Sequence, residues 1–132
     1  MSSLVIDTSS TRTIVALFDG AHEIYSDFHD GATEHGEALP KLVARALESA
    51  KKKANEIHEV IVGMGPGPYT GLRVGIVFAQ TFAAARSIPC IGRCSLDGID
   101  VSAPGEYIVT TDARRKEIYW AKYIDGKRVS GP

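Results

Sequence analysis

Glu59-Val60-Ile61-Val62-Gly63-Met64-Gly65-Pro66-Gly67-Pro68-Tyr69-Thr70-Gly71-Leu72-Arg73 changes character twice along its length. The apolar run Val60-Ile61-Val62 predicts a buried strand. The glycines and prolines that follow predict a loop. From Gly71 to about Arg86 the apolar residues return without alternation and predict a helix. Gly63, Gly65, Gly67 and Gly71 either take positive φ or let the backbone approach another surface closely. Pro66 and Pro68 stiffen the turn. The first amides of the following helix point out of this loop, which makes it a candidate anion site with Gly65, Gly67 and Thr70 as its donors. It is not a Walker loop, because no lysine follows the last glycine, and it is not G-x-G-x-x-G. Phosphate binding and a purely structural strand-to-helix turn are both open readings.

Upstream, Leu4-Val5-Ile6 is a short apolar run closed by Asp7-Thr8-Ser9-Ser10, a buried strand opening into a turn. Thr13 to Phe18 forms a second strand ended by Asp19-Gly20, a hairpin signal. Glu23 to Phe28 alternates as a third. Leu39, Leu42, Val43, Ala46, Leu47 and Ala50 then recur with helical spacing and mark one apolar face of an amphipathic helix within 34–53. Lys51 to Lys53 are expected at its C-terminal end, where they suit the dipole. Pro40 fits the first turn, or kinks a helix that starts nearer Thr33.

Downstream, Ile88 to Gly92 predicts a strand and Ser95 to Ser102 a short helical turn. Tyr107–Thr111 and Glu117–Tyr123 predict a final pair of strands around Asp112-Ala113-Arg114-Arg115-Lys116. The order β-β-β-α-β-α-β followed by a hairpin matches an α/β lobe of the ribonuclease-H-like fold, the unit duplicated in actin-like ATPases, with a mixed β-sheet. Residues 1–103 are read as that lobe, and 104–132 as the first hairpin of an incomplete second lobe.

The composition narrows the function classes. In 132 residues the hydrophobic share is 44% and the charged share 23%, which excludes general disorder. No run of about 18 uncharged apolar residues exists to span a membrane. Fifteen basic against sixteen acidic side chains leave a net charge of −1, too little for autonomous nucleic-acid binding. Lys51–Lys53 and Arg114–Lys116 are small basic clusters, read as solvated or as weak contacts to RNA held by a partner. Cys90 and Cys94 would stand roughly 13 Å apart on one strand, too far for a disulfide. They are expected to be reduced thiols, one of them buried. Met1-Ser2-Ser3 has no secretory character, so a cytoplasmic protein is expected. His22, His29, His35 and His58 form no ligand pair, so no metal site is expected. No G-x-S-x-G offers a nucleophile.

Two further features bear on function. Gly71, Gly75, Ala79 and Ala83 recur every four residues on a helix that is apolar nearly all round. Such a helix is buried on most sides, inside this chain or against a partner. The partner reading uses Gly71, Leu72, Gly75, Ile76, Ala79 and Ala83. Asp7-Thr8-Ser9 and Asp112-Ala113-Arg114 each put an aspartate at a strand end, as in the phosphate turns of actin-like ATPases. Both turns lack the glycine that permits close phosphate approach. Capping and nucleotide contact by Asp7, Thr8, Ser9 and Asp112 are the alternatives.

The run from Gly63 to Gly75 resembles the signature of the TsaB (YeaZ) family. Ile6-Asp7-Thr8-Ser9, Glu34-His35, and Asp112-Ala113-Arg114 with Glu117-Ile118-Tyr119-Trp120-Ala121 match the same family, collinearly over residues 4 to 123. The resemblance implies a non-catalytic component of bacterial tRNA N6-threonylcarbamoyladenosine synthesis that binds and orders TsaD, the transferase acting on adenosine 37. TsaD carries a metal-binding histidine pair with three residues between. Here Gly31 and Leu39 stand four residues either side of His35, so the pair is absent. The resemblance also implies homodimers, or heterodimers with a TsaD-like subunit, through the two helices of the first lobe. It implies that a TsaE-like ATPase joins the assembly and that tRNA is met only through it. It implies no tightly bound cofactor, with ATP or ADP and magnesium expected, if anywhere, in the assembled complex. The family runs to roughly two hundred residues in two lobes, so this chain reads as a truncated or reduced member. The alternative is a nucleotide-binding hydrolase using Asp7 and Asp112 with magnesium.

Overall fold

A computed structural model describes residues 1–132. Its organising element is β1 (Ser2–Asp7), whose Leu4 and Ile6 are fully buried. β2 (Arg12–Asp19) runs back along one edge of β1 and β3 (His22–Asp30) folds onto β2, both antiparallel. β4 (Glu59–Gly63) lies parallel on the other edge of β1, and β5 (Cys90–Arg93) lies parallel beyond it. The sheet order is β3-β2-β1-β4-β5, a mixed sheet as expected.

Register sets the core. Leu4 stands opposite Leu17 and beside Val60, and Ile6 opposite Val15 and beside Val62, so one face of three strands is continuously aliphatic. Two helices cover that face. α1 (His35–Ser49) buries Leu39, Leu42, Val43 and Ala46 over β2 and β3. α2 (Tyr69–Arg86) buries Ala79, Phe82 and Ala83 over β4 and β1. One cluster of 14 buried side chains results.

α1 begins at His35, near the earlier of its two expected starts, so Pro40 lies inside it, beyond the first turn. Its C-terminal end differs from expectation. Lys51–Lys53 lie outside the last turn. Ala50 caps the helix, Lys51 turns left-handed at φ +54°, and the Lys52 N–H donates to the Leu47 carbonyl at 2.9 Å. This 6→1 closure satisfies end carbonyls that lysine charges were expected to complement.

After β5, a single 3₁₀ turn over Ser95–Gly98 leads to a second sheet of β6 (Glu106–Arg114), β7 (Glu117–Ile124) and β8 (Lys127–Ser130). β8 was not expected. The second sheet buries Leu96, Val109, Ala121 and Tyr123. Tyr107 stacks on Tyr123 with centroids 5.3 Å apart. The Tyr123 hydroxyl donates to Asp97 at 2.6 Å, and Arg128 pairs with the same carboxylate at 3.2 Å, which ties β7 and β8 to the 3₁₀ turn. Neither cysteine is buried: Cys90 is exposed on the edge strand β5 and Cys94 is half-buried just after it. No helix is long and apolar enough to cross a membrane.

Candidate functional site

Three chain segments meet at the C-terminal ends of β1 and β4: the turn after β1, the glycine-proline loop after β4, and the tip of the β6–β7 hairpin. Asp7, Ser9, Pro66, Ser95, Asp112 and Arg114 line a cleft of about 520 Å³ between the two sheets. The two aspartates singled out in the sequence therefore face one space. Each is already engaged at Oδ1. Asp7 accepts from the Ser9 N–H at 2.8 Å and the Ser9 hydroxyl at 2.6 Å. Asp112 accepts from the Arg114 N–H at 2.7 Å. These are side-chain-capped turns, formed because a short carboxylate reaches the backbone two residues on. No three carboxylate, imidazole or thiol side chains converge anywhere in the chain. The donor set therefore does not fit a resident magnesium ion held by protein ligands alone.

The loop glycines are used against protein. Gly65 takes φ +90°, the left-handed region that favours glycine, and exchanges hydrogen bonds with Ser95. Gly67 and Gly71 do not take positive φ. A β-carbon at Gly67 would collide with the Ser9 carbonyl, and one at Gly71 would lie 2.8 Å from the His35 ring.

Thr8 was a candidate ligand contact, and its hydroxyl is spent inside the fold. It donates to the Gly71 carbonyl at 2.6 Å and accepts from the Gly75 N–H at 3.0 Å, bolting β1 to the first turns of α2. Gly75 must be glycine for this: a β-carbon there would sit 2.5 Å from the Thr8 hydroxyl oxygen. The small-residue stripe is thereby explained and relocated. Gly75, Ala79 and Ala83 are buried against the chain's own sheet, Gly71 abuts His35, Leu72 closes over Gly65, and Ile76 packs on the core. Gly75, Ala79 and Ala83 are therefore closed to a partner, while Gly71, Leu72 and Ile76 stay half-buried.

The outward side of α2 carries Arg73, Val77, Gln80 and Thr81, with Val77 48% exposed. Between it and α1 runs an open groove of about 480 Å³ lined by Leu39, Pro40, Arg73, Val74, Val77 and Phe78. Thr70 also lines it. This groove was missed as a residue set because spacing alone does not tell which side of an all-apolar helix faces home.

His35 sits buried at the start of α1, with Nδ1 2.7 Å from the Thr13 hydroxyl. Burial holds its pKa below the ordinary range, against the opposing pull of the Ser10 carbonyl and the Asp7 charge. It acts as a wedge between β2, α1 and Gly71.

A mixed sheet in the order β3-β2-β1-β4-β5, helices on one face and a cleft at the strand ends define an actin-like, ribonuclease-H-like lobe. The family model for TsaD, described as tRNA N6-adenosine threonylcarbamoyltransferase, matches residues 29–130. The chain belongs to this family and is a TsaB/YeaZ homologue within it. An uncharacterised protein of Mycobacterium leprae is 46% identical over 135 residues, covering 98% of this chain and 37% of its own length. The tRNA threonylcarbamoyladenosine biosynthesis protein TsaB of Escherichia coli is 32% identical over 129 residues, covering 93% of this chain and 55% of its own. The structure of YeaZ from Pseudomonas aeruginosa superposes with a TM-score of 0.85 at 25% identity, covering 99% of this chain and 65% of that one. The chain thus spans about half or less of these curated relatives.

Proposed function

We propose that this chain is a non-catalytic subunit of tRNA threonylcarbamoyladenosine synthesis that binds and orders a TsaD-like transferase. The observation that carries the reading is the α1–α2 groove. Val74, Val77 and Phe78 face it without a covering element, beside Leu39 and Pro40. Exposed apolar grooves of this kind are where helical partners dock. The same groove would pair two copies when the transferase is absent. The self-capped aspartates support a binding rather than a catalytic role. A TsaE-like ATPase, nucleotide and tRNA would join through the assembly.

The test is capture of the transferase subunit by this chain, beside light scattering of the chain alone. Val77→Glu puts a charge in the groove from an exposed position, so the fold is kept. Capture and self-association should both fall at least tenfold. Undiminished capture by Val77→Glu would place the interface elsewhere.

A second reading, a nucleotide-binding hydrolase, is favoured by one observation: Asp7 and Asp112 share a cleft. Magnesium-dependent ATP turnover by the purified chain, abolished by Asp7→Asn, would establish it in place of the first.

A further inference from the structure

β7 is entered and left by tight two-residue turns, and the two are chemically opposite. The turn into β8 is Asp125-Gly126, with φ +48° and +82°. That is the pair a type I′ hairpin prefers, because both central residues take positive φ. The turn from β6 into β7 is Arg115-Lys116, with φ +55° and +61°, and Arg114 before it is also left-handed at +65°. Three consecutive side-chain-bearing residues hold a backbone that L-residues adopt reluctantly. Arg114 is returned one bond, its N–H to Asp112 at 2.7 Å; Arg115 and Lys116 are returned none. All three side chains are exposed, and none forms an ion pair. Strain kept at Arg115 and Lys116 without a structural return points to use of the side chains themselves.

We propose that the hairpin tip Arg114-Arg115-Lys116 is a sequence-independent contact for the phosphate backbone of RNA. The inference rests on the tRNA-modification reading above and adds to it a contact made by this chain itself. The tip itself, Arg114 to Lys116, carries only cations, and the exposed Ile118 and Trp120 lie further along β7. A protein interface needs a desolvated aromatic or aliphatic anchor. A phosphate contact needs only cations held in place. The flanking carboxylates leave the tip net positive. Neither Asp112 nor Glu117 forms an ion pair with the three side chains, so the guanidinium and ammonium donors stay free. With a net charge of −1 the chain has no general affinity for RNA, so a local projection of three cations dominates any such contact.

The experiment measures binding of an unmodified tRNA transcript to the chain, alone and assembled with the transferase subunit, as salt is varied. The variant is Arg115→Asn with Lys116→Gly, which installs the preferred turn pair and removes two cations. Its melting temperature should equal or exceed that of wild type. Losing two phosphate contacts lowers the slope of log K against log salt by about 1.5, so the affinity gap between the two chains closes about eightfold from 50 to 200 mM salt. Capture of the transferase subunit should be unchanged. Equal slopes for the two chains would overturn the proposal. So would loss of transferase capture in the variant, or polyglutamate binding the wild-type tip as tightly as the transcript, since either makes the tip a protein contact. A wild-type chain that fails to capture the transferase but keeps the charge-dependent RNA slope sinks the scaffold reading and leaves this contact standing.

Discussion

The five-stranded sheet and the three-stranded sheet both come from alternating strands joined by tight turns, and they end in different states. The first is roofed by α1 and α2 and gathers 14 buried side chains. The second gathers four, and its other face leaves Ile108, Ile118, Trp120 and Ile124 between 42% and 60% exposed. In the first sheet, position is enforced by close backbone approach: Thr8 between the turns of α2, Gly75 against Ile6, His35 against Gly71. In the second it depends on one polar strap, Asp97 with Tyr123 and Arg128. The difference teaches that strand pattern alone does not make a lobe. A helix at van der Waals distance does.

Two probes separate the regions. Helical circular dichroism reads the first sheet's cover, and the single tryptophan, Trp120, reads the second sheet. The largest expected effect is Gly75→Leu. A β-carbon 2.5 Å from the Thr8 hydroxyl oxygen cannot be absorbed by a flexible side chain, and the bolt between β1 and α2 is lost. Destabilisation should reach about 3 kcal/mol and act on the helical transition more than on Trp120 fluorescence. Coincident shifts in the two signals would break the comparison by making the sheets one cooperative unit. The substitution therefore tests the fold and cannot serve as a probe of docking.

Tyr123→Phe is the converse. It removes a 2.6 Å hydrogen bond and leaves Asp97 with Arg128. A loss of about 1 kcal/mol is expected, read in Trp120 fluorescence while the helical signal stays put. Burial first, and then the Asp97 hydrogen bond, push the Tyr123 phenol far up, so this strap is insensitive to pH across the neutral range.

The smallest effect belongs to His35 and sharpens the contrast. Its folded pKa lies below its ordinary 6.5, chiefly through burial. The unfolded chain takes up a proton as pH falls through that value, and the folded chain does so only lower. The stabilisation is whole above 6.5 and declines as pH drops below it. Helical melting followed from pH 7.5 to 5.5 should show the decline, and His35→Gln should flatten it. A fall in the Trp120 transition with the helical one unmoved would assign the titration to the wrong sheet.

Most of the fold was legible because its signals are local. Val60-Ile61-Val62 before the glycine loop, and Leu39, Leu42, Val43 and Ala46 at helical spacing, state their structure without reference to the rest. β8 was not legible, because Lys127 to Ser130 are all exposed and carry no alternation; its one signal is Asp125-Gly126. The small-residue stripe announced a close approach and not what approaches, since Thr8 lies more than sixty residues away in sequence. The pairing of Asp7 with Asp112 in one cleft was readable only through the family resemblance. The left-handed tip at Arg114–Lys116 had no glycine to betray it.

β1 also has a place in time. Its partner β2 follows at once, but β4, the strand on its other edge, arrives late: the Ser3 hydroxyl meets the Glu59 carboxylate across 56 residues of chain. As the polypeptide leaves the ribosome, the β1-β2-β3 meander can close first and α1 can settle on it. The open edge of β1 then waits, its amides unpaired, until β4 emerges. Pairing across that separation is the slow, loop-closing step of the lobe. In that interval the nascent chain presents an unprotected strand edge, the state in which a growing protein is most exposed to mispairing with a neighbour.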